Sequence, residues 1–217
     1  MANSPTLIAA VVEATGEPKP AVEVALRRLR TAELIPVGGR GPYSAKMDYV
    51  SAMRMLLAVC ASIKLERDAN VLAVKRFEPL TGGLDNNETL VTEGYDPASI
   101  KLPIDHLDHE HALGDAVITL LRAGAAGELY TYQETGPGRA VFKAKGYLRL
   151  SFYQPIPFAR IEHVVGHVRK VWRYGFLGGA SLDGYISVMR ERHLGGRLQM
   201  SEIDGRAVEI IGEAVAD

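Results

Sequence analysis

A chain of 217 residues that is 47% hydrophobic has enough apolar side chain for one large domain or two small ones. Its 25 Lys and Arg against 26 Asp and Glu leave a net charge of -1, so any basic surface has to be local. The single cysteine, Cys60, excludes an intramolecular disulfide and suits a reducing compartment.

Residues 4–46 form the most specific stretch. Ser4 is predicted to cap a first helix, with Pro5 at the first helical position, where its missing N–H costs nothing. Leu7, Ile8, Val11 and Val12 fall on one face, and Gly16 ends the helix by taking a left-handed conformation. A turn over 17–19 leads to a second helix, 20–31, opened by Pro20. Val22, Ala25, Leu26 and Leu29 form its apolar stripe, and Glu23, Arg27, Arg28 and Arg30 lie off it. Leu34 and Ile35 continue the core. Pro36 and Val37 then read as a strand into a tip of Gly38, Gly39, Arg40 and Gly41, where small residues allow close approach to a phosphate, and residues 42–46 read as the return strand. From 19 to 46, six basic residues against two acidic ones give +4, the electrostatic footprint of a nucleic-acid site.

The order of these parts (the turn at Gly16, the helix PAVEVALRRLR and the GGRG tip) resembles the winged helix-turn-helix family over about a fifth of the chain. The PVGGRG tip followed by an apolar helix is also similar to uncharacterised prophage-encoded proteins. The resemblance implies that helix 20–31 enters the major groove by its N-terminal half and that the tip, residues 38–41, is the wing. Lys19, Ala21, Glu23, Val24 and Arg27 would lie nearest base edges, while Arg28, Arg40 and Lys46 would meet phosphates. The implied DNA-binding set is Lys19, Glu23, Val24, Arg27, Arg28, Arg30, Arg40, Tyr43 and Lys46. Many members carry another helix before this pair. Either the helix after the wing fills that role or the domain is a reduced one.

Asp48 is predicted to cap a helix running to about Arg67, with Val50, Met53, Leu56, Leu57, Cys60 and Ile63 on its apolar face. That face suits packing on the winged unit or on a second copy of the chain, and a homodimer is favoured by the two-fold habit of such domains. Residues 70–77 read as a strand. Residues 79–103, rich in Pro and Gly, read as a connection, and from 85 to 115 eight acids against Lys101 give -7, a face that should avoid nucleic acid.

His106, His109 and His111 stand among Asp105, Asp108 and Glu110, all of them metal-ligand types, but their spacing matches no metal motif and an acidic helix start explains them as well. No metal or other cofactor is assigned. A helix over 113–121 closes at Gly124 and Gly127. Residues 129–134 alternate as a strand, 136–138 make a turn, and 139–152 supply one or two more strands, with Arg139, Lys143, Lys145 and Arg149 interleaved with Phe142, Tyr147, Phe152 and Tyr153. Such a face can stack single-stranded bases, but with no signature of a known single-strand module a half-buried sheet with solvated lysines accounts for it better. A long helix is predicted over 158–174, its buried side Ile161, Val164, Val165, Val168 and Trp172, with His163 and His167 one turn apart but without the glutamate a metalloprotease helix needs. A short helix over 181–191, a strand over 198–203 and an amphipathic helix over 206–215 complete the chain.

The expected fold is α+β: an N-terminal winged helix-turn-helix with its apolar helix (1–78), an acidic connection (79–103) and a mixed α/β domain with an antiparallel sheet (104–217). The expected function is double-stranded DNA binding by a transcriptional regulator of bacterial or phage type. A phage DNA-packaging subunit like a small terminase is one alternative. A metal-dependent enzyme using residues 105–111 is another, although no Ser/His/Asp order, phosphate loop or glycine fingerprint supports catalysis. Neither a signal peptide nor a membrane-spanning stretch is read in the sequence, so the protein is expected in the cytoplasm, with no membrane partner.

Overall fold

Asn3, not Ser4, caps the first helix. Its side chain accepts hydrogen bonds from the Thr6 N–H (3.0 Å) and the Thr6 hydroxyl (2.9 Å). In the computed structural model, which describes residues 3–38, 45–63, 68–85, 90–91, 100–134, 141–175, 187 and 199–216, α1 is Ser4–Thr15. Gly16 ends it in the left-handed region, φ 68°, and its N–H bonds the Val12 carbonyl. Nothing lies within 4 Å of a Cβ built on Gly16, so backbone conformation, and not space, demands glycine there.

After a three-residue turn, α2 runs Lys19–Thr31 and buries Val22, Ala25, Leu26 and Leu29, as the stripe predicts. The chain around the expected wing differs. Residues 36–38 and 45–46 carry no strand, and Met47 makes only a single bridge. A Cβ on Gly38 would lie 1.9 Å from the Ala45 backbone nitrogen, so the two arms touch backbone to backbone there. Gly39, Arg40, Gly41 and Tyr43 lie outside the described residues.

The helix α3, Tyr49–Cys60, is capped by Asp48 as expected, but it stops at Cys60 and does not run on toward Arg67. Burial raises the Asp48 carboxyl, yet hydrogen bonds from the Ser51 hydroxyl and N–H outweigh this and hold it below its ordinary value. Met53, Leu56 and Leu57 are buried against this chain's own later helices, and Val50 stays 37% exposed.

The predicted strand at 70–77 is instead a helix, α4, Ala69–Phe77. Ala69, Ala73, Val74 and Phe77 are buried at helical spacing against α3, and this tertiary contact overrides the strand propensity of its valines.

The predicted connection at 79–103 contains β1 (Thr81–Leu84), β2 (Leu90–Val91) and β3 (Ile100–Lys101), followed by a 3-10 turn at Pro103–His106. Then come β4 (His111–Ala112), α5 (Leu113–Ala125), β5 (Thr131–Glu134), β6 (Val141–Lys143) and β7 (Gly146–Gln154).

The long helix predicted at 158–174 is a hairpin of two strands, β8 (Phe158–Val165) and β9 (Val168–Gly175). Val165 pairs with Val168 across a two-residue turn in which Gly166 takes φ 59°, a conformation that cannot continue a helix. Along both strands alternate residues point inward: Ala159, Ile161, His163 and Val165, then Val168, Lys170, Trp172 and Tyr174. A final strand, β10 (Gln199–Asp204), and helix α6 (Gly205–Val215) follow; of the short helix predicted over 181–191 only Ser187 lies among the described residues.

Seven strands form one antiparallel sheet in the order β10-β7-β8-β9-β1-β4, with β2 also on β9, and β3-β5-β6 form a second, smaller sheet. The helices cover one face of the large sheet. A continuous apolar core joins Leu7, Val11, Leu26 and Leu29 of the first two helices to Phe152, Ile161 and Trp172 of the sheet and to Val208, Ile211 and Val215 of α6. The opposite face is charged. There Glu162 takes hydrogen bonds from Tyr147 (2.7 Å), Arg160 (2.8 Å) and Arg169 (2.7 Å). Burial raises its carboxyl, but these three donors prevail and bring it down to about 2.

Helices α5 and α6 cross with their backbones in contact. A Cβ on Gly212 would sit 2.2 Å from the Leu121 carbonyl oxygen, and one on Gly124 would sit 3.1 Å from the Glu209 Cα. An exposed helical Gly→Ala change gains about 1 kcal/mol of propensity, whereas overpacking costs about 1–3 kcal/mol. Gly212→Ala is therefore expected to destabilise the chain in a urea titration; a gain in stability would show that the helices can separate freely.

Candidate nucleic-acid interface

Helix α2 is anchored by its apolar stripe, so its remaining surface is fixed in direction. Lys19, Pro20, Ala21, Glu23, Val24, Arg27, Arg28 and Thr31 are exposed, and no acid stands in the first turn. Lys19 and Glu23 form an i,i+4 ion pair at 3.9 Å, 70% and 47% exposed, which is worth little to stability and leaves Lys19 free to move. Arg27 has no ion pair among the described residues. Arg30 departs from the expectation that it faces out. It is half-buried, donates to the Ser4 hydroxyl of α1, and keeps its Nε buried without a partner. Lys46 is exposed.

One side of α2 borders a groove of about 440 Å³ between the α1–α2 turn, the end of α3 and the start of α4, with Val24, Arg28, Val59 and Asn70 on its walls. Arg28 Nη1 donates to Asn70 Oδ1 (2.8 Å), and Asn70 Nδ2 donates to the Ala58 carbonyl (2.7 Å) at the end of α3. Asn70 is missing from the predicted set because its segment read as a strand. The four-residue repeat Ala69, Ala73, Phe77 together with Val74 was the available signal for a helix.

The histidines predicted as possible ligands are dispersed. His106, at the end of the 3-10 turn, lines a separate cleft of about 420 Å³ with Lys101 and Arg122, and His109 is exposed. His111 sits on β4, its Nδ1 2.8 Å from the Asp108 carbonyl and its Nε2 2.8 Å from the Tyr174 hydroxyl. Since a carbonyl only accepts, Nδ1 carries the proton and the Tyr174 O–H donates to Nε2. Burial raises the Tyr174 hydroxyl further, keeping it a donor. His163 and His167 are not one helical turn apart: His163 points from β8 into the core and His167 lies in the hairpin turn. Among the described residues no three His, Cys, Asp or Glu side chains gather as a metal site. Burial pushes the Cys60 thiol up to about 12, which removes thiolate chemistry at neutral pH.

The basic and aromatic residues of the 139–153 stretch do not share one open face. Lys143 and Lys145 are exposed, but Phe152 and Tyr153 are only 1% and 5% exposed and lie on opposite faces of β7. Tyr147 is 44% exposed and engaged, with its hydroxyl on Glu162 and the Arg149 guanidinium over its ring at 5.9 Å. Arg139 lies outside the described residues. No helix among the described residues is long and apolar enough to cross a membrane. No family model, curated protein or solved structure matches the chain.

Proposed function

We propose that this protein binds double-stranded DNA through α2, as a helix-turn-helix regulator of bacterial or phage type. The observation that carries this reading is the α1–turn–α2 unit itself. A glycine in the left-handed region sets a three-residue turn, α2 is anchored along one stripe, and its other side presents Lys19, Glu23, Val24, Arg27 and Arg28 to solvent. The +4 of residues 19–46, in a chain of net charge -1, suits a polyanion. Helices α3 and α6 both pack on α1 and give the pair the support that an additional first helix gives in other winged domains. In this reading Arg27, with the exposed N-terminal half of α2, faces base edges, and Arg28 and Lys46 meet phosphates. The segment 38–46, with Arg40 and Tyr43, would follow the neighbouring backbone.

The test is fluorescence anisotropy of a labelled random duplex across a salt series. Binding that weakens steeply with salt is expected. Arg28→Ala should weaken binding to all sequences and lower the salt slope by about 1, while Arg27→Ala should chiefly reduce discrimination between a selected site and random duplex. Absence of binding at low salt would remove the reading. Sedimentation of the bound complex separates a dimeric regulator from a ring-forming packaging subunit.

A further inference from the structure

We propose that Asn70 is a positioning residue for DNA binding: it holds the Arg28 guanidinium at the mouth of the α2–α4 groove, ready for a backbone phosphate. This rests on the reading of α2 given above.

Asn70 opens α4, half-buried, and both ends of its amide are committed. The Ala58 carbonyl can only accept and the Arg28 guanidinium can only donate, so a single orientation of the amide satisfies both, with Nδ2 on Ala58 (2.7 Å) and Oδ1 on Arg28 (2.8 Å). Ala58 belongs to the buried end of α3, which is itself fixed in the core. The chain Ala58–Asn70–Arg28 therefore ties an exposed, otherwise mobile side chain to the rigid interior. One guanidinium N–H is spent on Asn70, and the remaining donors stay available to a phosphate oxygen. An arginine held in place loses less side-chain entropy on binding than a free one. The contact also links α2 to α4 across 42 residues of sequence, which gives α4 a role in the interface without touching DNA.

The test uses the full chain and the labelled random duplex. Asn70→Ala changes no charge. It is expected to weaken binding about fivefold, because Arg28 must then be ordered on binding, with the salt slope kept since the Arg28 charge remains. Arg28→Ala combined with Asn70→Ala should be no weaker than Arg28→Ala alone. Asn70→Asp supplies a second reading if the alanine variant folds poorly, judged by circular dichroism. Its carboxylate would neutralise Arg28, so here the salt slope should fall by one contact. Wild-type binding with no loss in Asn70→Ala, with an unchanged slope in Asn70→Asp, or with losses that add in the double variant, would make Asn70 merely structural and overturn this inference alone. No wild-type binding would overturn the DNA reading and this inference with it.

Discussion

Replacing Asp105 with Asn is expected to destabilise the fold by about 3 kcal/mol and to lower its melting temperature by roughly 6–12 °C. Lys170 points inward from β9, and its ammonium lies 2.7 Å from Asp105 Oδ2, with the side chains only 3% and 9% exposed. The same oxygen accepts the Leu102 N–H at 2.8 Å, which closes the 3-10 turn onto the sheet. Asn keeps the shape of Asp but removes its charge, so the cost is that of a buried ammonium without its counter-charge. Losing both charges together is a smaller insult than losing one. Asp105→Asn with Lys170→Met should therefore recover much of the stability, and a double-mutant cycle by urea denaturation gives the coupling. A double variant as weak as the sum of its parts would show that the two groups do not depend on each other.

This pair was invisible in the sequence for a specific reason. Lys170 falls within the predicted 158–174 helix and off its apolar side, because 158–174 fits a helical stripe. Ile161 and Val165 are four residues apart, as are Val168 and Trp172, and all four are indeed buried. A spacing of four is even, so it lies on one face of a strand as well as on one face of a helix. The deciding residues are those two apart, His163 from Ile161 and Lys170 from Trp172. They are polar, so a hydrophobicity pattern passes over them. The opposite error at 69–77 has the same root. Ala69, Ala73 and Phe77 fit both periods, and only Val74, at an odd offset, separates helix from strand.

At the Gly16 stop and the Asp48 cap sequence and structure agree, while the first cap falls on Asn3 and not on Ser4. Gly16 and Asp48 fix helix ends by local backbone chemistry, which needs no knowledge of the partner surface. The outward face of α2 was legible for the same reason, as the complement of a stripe bounded by a turn. The fate of the individual arginines on it was not. Arg30 turns to Ser4 and Arg28 to Asn70, contacts that span 26 and 42 residues and have no signature in local order.

A second large effect is expected from acid. His163 is wholly buried, its Nε2 2.7 Å from the Leu129 carbonyl and its Nδ1 without a partner. Burial pushes its pKa down from 6.5 to about 4, against the opposing pulls of the Leu129 carbonyl and the Asp105 carboxylate. Lys170 pairs with it across the sheet and the Tyr130 ring stands edge-on, so among the described residues the charged groups facing it are Lys170 and Asp105. Between pH 6.5 and 4 the unfolded chain binds a proton at this position and the folded chain does not. Stability therefore falls as pH drops through that window, by about 3 kcal/mol at 1.36 kcal/mol per unit. Below pH 4.5 Glu162, held down to about 2, begins to add its own loss. Urea titrations from pH 7.5 to 3 should show both stages. His163→Gln keeps a donor within reach of Leu129 and removes the titration, so the variant should lose the slope between pH 6.5 and 4.5 while keeping the fall below it. A variant whose upper slope matches the wild type would place the acid sensitivity in another group.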